Sequence, residues 1–333
     1  LPKIRPAFTT KCISAEPRSL GLLWPLPLVV AVCALRHLWP SWKWRRGWAW
    51  GSAAAFLSWP LFTRGGPWVL GPVAAGLGLA MAMKMVDVQD GRVAPITMGS
   101  WWRFSIWFVV PPRTHWESEA SARRALQLVG LLRWSRAALK AVLLFGLIYL
   151  DLRHRWYWPL RAWAAAFEIY FMVSALSDFV TGATSLFGFS TQEVFRSPFL
   201  ARSVADFWGR RWNLFVSDFF RRRLFLPLAK GNHVYRGAFA VFFVSGLAHE
   251  YFVFVCVNPT RFLPGYMMAF FLLQGLAVMA ATWSRAHLQP VRFAPDWFKV
   301  CLHLFWLAST VWLFLEPMDP VILSFERAVR GAL

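Results

Sequence analysis

Two clusters in this sequence have the residue types and spacing for chemistry on a poorly nucleophilic hydroxyl. The first is Asp-Phe-Trp-Gly-Arg-Arg-Trp-Asn at 206–213. The second, Val-Ser-Gly-Leu-Ala-His-Glu-Tyr at 244–251, places His249 36 residues beyond Asn213. An alcohol attacks poorly until its proton is removed, and neutral imidazole is the side chain suited to taking that proton near neutral pH. Asn213 offers two N–H donors, which suit a carbonyl oxygen or the oxyanion it becomes. Ser245 stands four residues before His249 and shares its helical face. It can touch a substrate there, or simply let two helices pack closely. Glu250 points about 100° away from His249 around a helix. It suits bracing the helix or neutralising a basic residue better than relaying the imidazole's proton.

Each residue also has a plainer reading. A lone histidine in an apolar helix commonly packs or lies on a proton path, and a lone Asn213 would cap a helix. His303 has no motif around it and is read as packing. Arg210, Arg211, Arg221, Arg222, Arg223 and Lys230 can grip phosphate groups or rest on lipid headgroups. Glu168 and Asp178, ten residues apart, do not share a helical face, and Arg210 or Arg211 are available as their partners.

These residues are positioned by a chain too apolar to be a soluble domain. Of 333 residues, 58% are hydrophobic and only 16% charged, with Lys+Arg 36 against Asp+Glu 16. The bases fall mostly between apolar runs, which points to loops on anionic lipid and excludes nucleic acid as a partner. A span needs roughly 20 apolar residues. Eight candidates follow: 20–38, 48–63, 66–86, 137–151, 156–180, 235–257, 265–284 and 297–316, with a range of seven to ten. Trp39, Trp42, Trp44 and Trp48, then Trp156, Tyr157 and Trp158, mark interfacial edges. The segment 96–112 reads as interfacial or re-entrant. The fold class expected is therefore all-α: one polytopic transmembrane helical bundle, a single domain over 1–333, with interfacial helices. Alternating the spans puts 23 Lys/Arg in one set of loops and 11 in the other, so the first set is expected in the cytosol. His249 then lies about 20 Å deep, at 1.5 Å per residue. Cys12, Cys33, Cys256 and Cys301 form no CxxC or Cys/His pair, so neither a disulfide framework nor a metal site is expected. Residues 1–18 show no signal-peptide h-region.

The pair of motifs, 206–213 and Ser-Gly-Leu-Ala-His-Glu at 245–250, resembles the membrane-bound O-acyltransferase family, and within it the wax synthase branch. Phe-Phe-Leu-Leu-Gln-Gly at 270–275 resembles that branch's next span, where the branch is expected to carry His in place of Gln274. The resemblance covers about 195–285. It implies a helical bundle tunnelled from both sides, in the endoplasmic reticulum membrane, moving an acyl group from acyl-CoA to a hydroxyl. It implies His249 and Asn213 as the catalytic pair. Ser245, Arg210, Arg211, Trp212, Asp206, Trp208, Glu250 and Gln274 would line the substrates. Acyl-CoA is a substrate, so no cofactor is implied. The acceptor implied is a long-chain fatty alcohol giving a wax ester, with diacylglycerol, a sterol or a terpenoid as alternatives. A membrane transporter with buried Glu168, Asp178 and His249 is the reading from another class. It is weakened by the lack of two similar halves with broken spans.

Overall fold

The structure is a computed structural model in which the described residues are 45–63, 69–88, 114–117, 119–154, 156–257, 259–287 and 294–332. Helices dominate them. The long ones are α1 (Arg45–Thr63), α2 (Leu70–Val88), α3 (Ala120–His154) and α4 (Trp158–Leu186). After a stretch of short turns and the helix α5 (Leu214–Phe220) come α6 (Val234–Cys256), α7 (Tyr266–His287), α8 (Asp296–Thr310) and α9 (Asp319–Ala332). The departure from an all-helical expectation is a small antiparallel pair, β1 (Thr114–Trp116) with β2 (Phe189–Thr191), in which His115 faces Ser190. Three residues per strand leave too little alternation to be seen in sequence.

Four helical segments are long and apolar enough to cross a membrane: Leu70–Asp87, Leu160–Leu186, Val234–Cys256 and Tyr266–Ser284. A fifth exists if Asp296–Thr310 and Trp312–Gly331, bent by 40°, form one broken span. These correspond to the candidates 66–86, 156–180, 235–257, 265–284 and 297–316. The candidates 48–63 and 137–151 are helical, within α1 and α3, but are not among those segments. The candidate 20–38 and the interfacial candidate 96–112 lie outside the described residues.

In the middle of α3, Arg133, Arg136 and Lys140 are turned toward α4 and the neighbouring β2 and are bonded there. The Arg133 guanidinium donates to Ser185, to Thr191 Oγ1 at 2.6 Å and to the Thr191 carbonyl at 2.9 Å. Arg136 and Lys140 both reach Asp178, at 2.8 and 2.6 Å. The opposite face of α3 is apolar and exposed, with Leu139 60% and Val142 68% accessible. Exposed apolar surface on this scale suits lipid rather than water. The chain is an integral membrane protein.

Small residues let the helices close on one another. α3 and α4 meet where Gly130 and Gly182 face each other, and a Cβ on Gly182 would lie 2.5 Å from the Trp134 ring. α6 approaches α7 at Gly246, against the side chain and Cα of Met268. α2 approaches α1 at Gly78, where a Cβ would stand 2.6 Å from the Phe56 carbonyl oxygen. Because that neighbour is backbone, it cannot rotate away. Gly78→Ala is expected to lower the thermal midpoint of the detergent-solubilised protein, by an amount corresponding to about 1–3 kcal/mol of overpacking. Gly76→Ala has nothing within 4 Å of the new Cβ and leaves the midpoint unchanged or slightly higher.

Candidate active site

The motif at 206–213 folds into a tightly held turn. The Ser203 hydroxyl accepts from the Asp206 amide at 3.1 Å, and the Asp206 carboxylate accepts from the Arg202 amide at 3.1 Å. This arrangement satisfies donors that the start of a helix leaves open. The same carboxylate oxygen accepts from Arg211 Nε at 2.8 Å. Residues Phe207–Arg211 form a widened, π-type turn, closed by the Trp212 amide on the Phe207 carbonyl at 2.9 Å. Such turns widen the helix to aim side chains that an α-helix would place elsewhere. Arg211 then crosses to the carbonyls of Arg196 and Ser197, and the Leu214 amide donates to Val194. Partial burial pushes the Asp206 carboxyl up, but the Arg202 amide and the Arg211 guanidinium outweigh it and hold the group below the usual carboxylate range.

Asn213 closes the turn in the left-handed region, at φ 41° and ψ 65°. Asparagine is among the few residues with a Cβ that adopt this conformation readily. Its Oδ1 accepts from the Val216 amide at 3.4 Å and caps α5. The helix-capping role and the motif therefore coincide in one residue. Its two Nδ2 hydrogens have no partner among the described residues.

His249 lies in the second half of α6. Its Nδ1 is 2.8 Å from the carbonyl of Ser245, one turn earlier. A carbonyl oxygen has no proton to give, so in the neutral ring Nδ1 carries the hydrogen and Nε2 keeps its lone pair. The ring packs against Phe271 at 4.3 Å and Phe314 at 5.9 Å between centroids. It lies deep among the helices, yet part of its surface stays accessible. The Ser245 side chain is buried on the same helix face. Glu250 reaches across to the start of α7, where it accepts from the Met268 amide at 3.0 Å. It braces α7 and takes no part in the imidazole's hydrogen bonding.

Gln274 ties the two motifs together. It is completely buried. Nε2 donates to Thr310 Oγ1 at 2.9 Å, while Oε1 accepts from the indoles of Trp208 at 3.4 Å and Trp306 at 3.3 Å. Trp208 packs on Phe271, the ring that also covers His249, at 5.6 Å. Trp212 stacks on Phe207 at 5.3 Å and meets Trp208 at 6.4 Å. A continuous train of rings thus joins the turn to the imidazole. No hydrogen bond links Asn213 directly to His249 among the described residues.

Residues 191–273, which span the turn, Asn213, His249 and Phe271, match the model of the membrane bound O-acyl transferase family. In this segment the chain is similar to that family. Its relatives include the probable long-chain-alcohol O-fatty-acyltransferase 1 of Arabidopsis thaliana, 34% identical over 165 residues, 44% of this chain and 46% of the relative. The long-chain-alcohol O-fatty-acyltransferase of Simmondsia chinensis is 38% identical over 103 residues, 28% of each chain. The acyl-CoA–sterol O-acyltransferase 1 of Arabidopsis thaliana is 30% identical over 164 residues, 46% of this chain and 47% of the relative. Each match spans less than half the length of these relatives.

Within this matched segment the basic residues divide into two groups. Arg211 is committed to Asp206, and Arg222 and Arg223 converge on Asp87 at the end of α2. Arg222 binds it bidentately at 2.8 and 2.9 Å. Those bonds hold the Arg222 guanidinium above its ordinary pKa. Arg210, Arg221 and Lys230 are exposed and form no ion pair among the described residues. The pairing anticipated between Arg210 or Arg211 and Glu168 or Asp178 does not occur. Asp178 is taken by Arg136 and Lys140, and Arg211 finds Asp206 five residues away in its own turn. His303, read as packing, does pack on Phe207 at 5.2 Å, but both its ring nitrogens are buried without a hydrogen-bond partner among the described residues. Asp87, Thr310, Trp306 and Phe314 went unremarked in the sequence, and Phe271 was noted only as part of the 270–275 stretch. Only the carboxylate of Asp87, at the end of an apolar run, offered a signal.

The depressed carboxyl of Asp206 gives a signed pH dependence. Its stabilising contribution is complete above the ordinary aspartate value of about 3.9, and is lost as pH falls through the lower folded value. The thermal midpoint of Asp206→Asn should therefore fall below that of the parent by a constant gap from pH 8 to about pH 5, narrowing in more acid solution. A gap of equal size at pH 3 would contradict the ion pair's role.

Proposed function

We propose that this protein is an acyl-CoA-dependent O-acyltransferase that esterifies a hydrophobic alcohol, with a long-chain fatty alcohol as acceptor and His249 as general base. The observation that carries the reading is the hydrogen bond from Nδ1 to the Ser245 carbonyl. It fixes the tautomer that leaves Nε2 as a base in an apolar, ring-lined site. The relatives named as long-chain-alcohol O-fatty-acyltransferases support the choice of acceptor.

In this mechanism the alcohol gives its proton to Nε2 while its oxygen attacks the thioester carbonyl carbon. The carbon–sulfur bond then breaks, and the departing thiolate takes the proton back from Nε2. The two open N–H donors of Asn213 suit the carbonyl oxygen during attack. Gln274 serves by position: with its amide fully engaged, it sets Trp208 beside the imidazole rather than meeting substrate. Exposed Arg210, with Arg221 and Lys230, suits the phosphates of coenzyme A, whereas Arg211, Arg222 and Arg223 hold the fold. The accessible surface left on the deeply placed imidazole supports a tunnel reaching it. The apolar outer face of α3 supports counting it as a span, in a bundle of about eight. The basic loops support a cytosolic mouth, and the reaction suits the endoplasmic reticulum membrane.

A sterol acceptor is the second reading, favoured by the 30% identity with the acyl-CoA–sterol O-acyltransferase. Membranes containing the protein, given labelled acyl-CoA and a panel of fatty alcohols, sterols and diacylglycerol, distinguish these by the ester formed. His249→Ala is expected to remove ester formation while the protein still inserts. Turnover retained by that variant would remove the base from the mechanism, and uptake into sealed vesicles without ester would mark a transporter. For Asn213 the informative substitution is to glycine, which keeps the left-handed backbone while removing the amide. Turnover should fall about 10²-fold at unchanged thermal midpoint. Parent-like turnover in Asn213→Gly would leave the residue with its cap alone.

A further inference from the structure

Where α3, α4 and α9 come together, three acidic side chains meet. Asp151 comes from the last turns of α3, Glu168 from α4 and Glu326 from α9. One oxygen from each lies within 4.8 Å of the others. All three are buried: Asp151 is 6% exposed, Glu168 5% and Glu326 4%. Acidic groups gathered in an apolar bundle repel one another and lose their hydration, so the group needs a compensating charge. The basic side chain ion-paired with it among the described residues is Arg161. It stands 3.9 Å from Asp151 and 3.4 Å from Glu326, and it is shared with the more exposed Asp319 at 3.6 Å. Glu168 receives no ion pair among the described residues. Its Oε1, and Oδ1 of Asp151, are buried without any hydrogen-bond partner. Three carboxylates against one guanidinium leave a deficit of two positive charges, and two oxygens lack a partner.

We propose that Asp151, Glu168 and Glu326 bind a divalent cation of the hard, oxygen-seeking class, with Ca2+ the best fit. A cation about 2.4 Å from its oxygens bridges ligands up to twice that distance apart, which matches the spread here. Mg2+ demands shorter contacts and near-ideal octahedral geometry, which three carboxylates from three helices meet less readily. Softer metals would call for sulfur or imidazole, and none belongs to the cluster. The charge also balances, since one divalent ion closes the deficit. The local pattern presents the ligands together: Arg161, Ala165 and Glu168 share one face of α4, while Asp319, Ile322 and Glu326 share one face of α9. Ala162 and Ala165 pack with Ile322 beside the acids. Arg161 and Asp319, partly exposed, mark the side from which water and the ion enter. The cation cross-links α9 to α3 and α4, and this role stands apart from ester formation.

The test uses the full-length protein, purified in detergent and freed of metal with a chelator. Equilibrium dialysis with radiolabelled Ca2+ should find one saturable site per chain, and Ca2+ should raise the thermal midpoint by several degrees, about 5 °C. Glu168→Gln and Asp151→Asn should each weaken binding at least about tenfold, since even outer partners of metal ligands have effects of that size. In both variants the Ca2+-dependent rise in midpoint should vanish. Their metal-free midpoints should equal or exceed that of the parent, because a like charge has been removed. Glu119→Gln, on an exposed carboxylate elsewhere, should bind as the parent does. Absence of saturable binding by the parent up to about 10 mM Ca2+ would overturn the proposal and leave the acids sharing protons. So would parent-like binding in both variants.

Discussion

The amide of Gln274 makes its hydrogen bonds where no water competes for them, and the candidate site takes its shape from that constraint. An uncompensated amide in an apolar interior costs several kcal/mol, so Gln274, Thr310 and the indoles of Trp208 and Trp306 satisfy one another or not at all. That requirement draws the motif turn, α7 and α8 to one point. Trp208 is thereby set on Phe271, and Phe271 on the imidazole of His249. The site is rigid because its polar groups have few alternatives, and apolar because its remaining walls are rings.

The same logic, with charge in place of amides, organises the rest of the bundle. Asp87 at the end of α2 collects Arg222 and Arg223, joining the first helical pair to the turns that precede α6. Asp178 collects Arg136 and Lys140 and joins α3 to α4. Breaking such a pair strands a charge in low dielectric, so each is costly to lose even where its net contribution to stability is small. Register between helices is what these pairs provide. The glycine contacts at Gly78, Gly130 and Gly246 supply the close approach that lets the partners reach.

Much of this was legible in the sequence, and the remainder was hidden for definite reasons. The runs 235–257 and 265–284 announced α6 and α7 almost to the residue, because continuous apolar stretches have one reading at that length. The run 137–151 gave only the end of the 35-residue α3. Arg133 and Arg136 interrupted the apolar pattern, and nothing local disclosed that α4 would engage them. His249 and the 206–213 turn were visible by residue type. Gln274 was noticed, but its partner Thr310 lies 36 positions away, and Asp87 is 135 from Arg222. Pairings at that separation leave no trace in local spacing. The anticipated bonding of Glu168 and Asp178 to Arg210 or Arg211 failed because Asp178 is held by Arg136 and Lys140 and Arg211 finds Asp206 five residues away, while Glu168 forms no ion pair among the described residues.

The left-handed backbone at Asn213 bears on how this position tolerates change. Glycine and aspartate can take up the same φ and ψ, but neither carries an amide donor pair. Glutamine carries the donors but sets them one methylene farther out, on a backbone that resists the conformation. Under the proposed mechanism, shape and function thus ask for different substitutes, and the genetic code offers none that serves both. In a saturation library this site should look as intolerant as a packed core position, although its side chain is only partly buried.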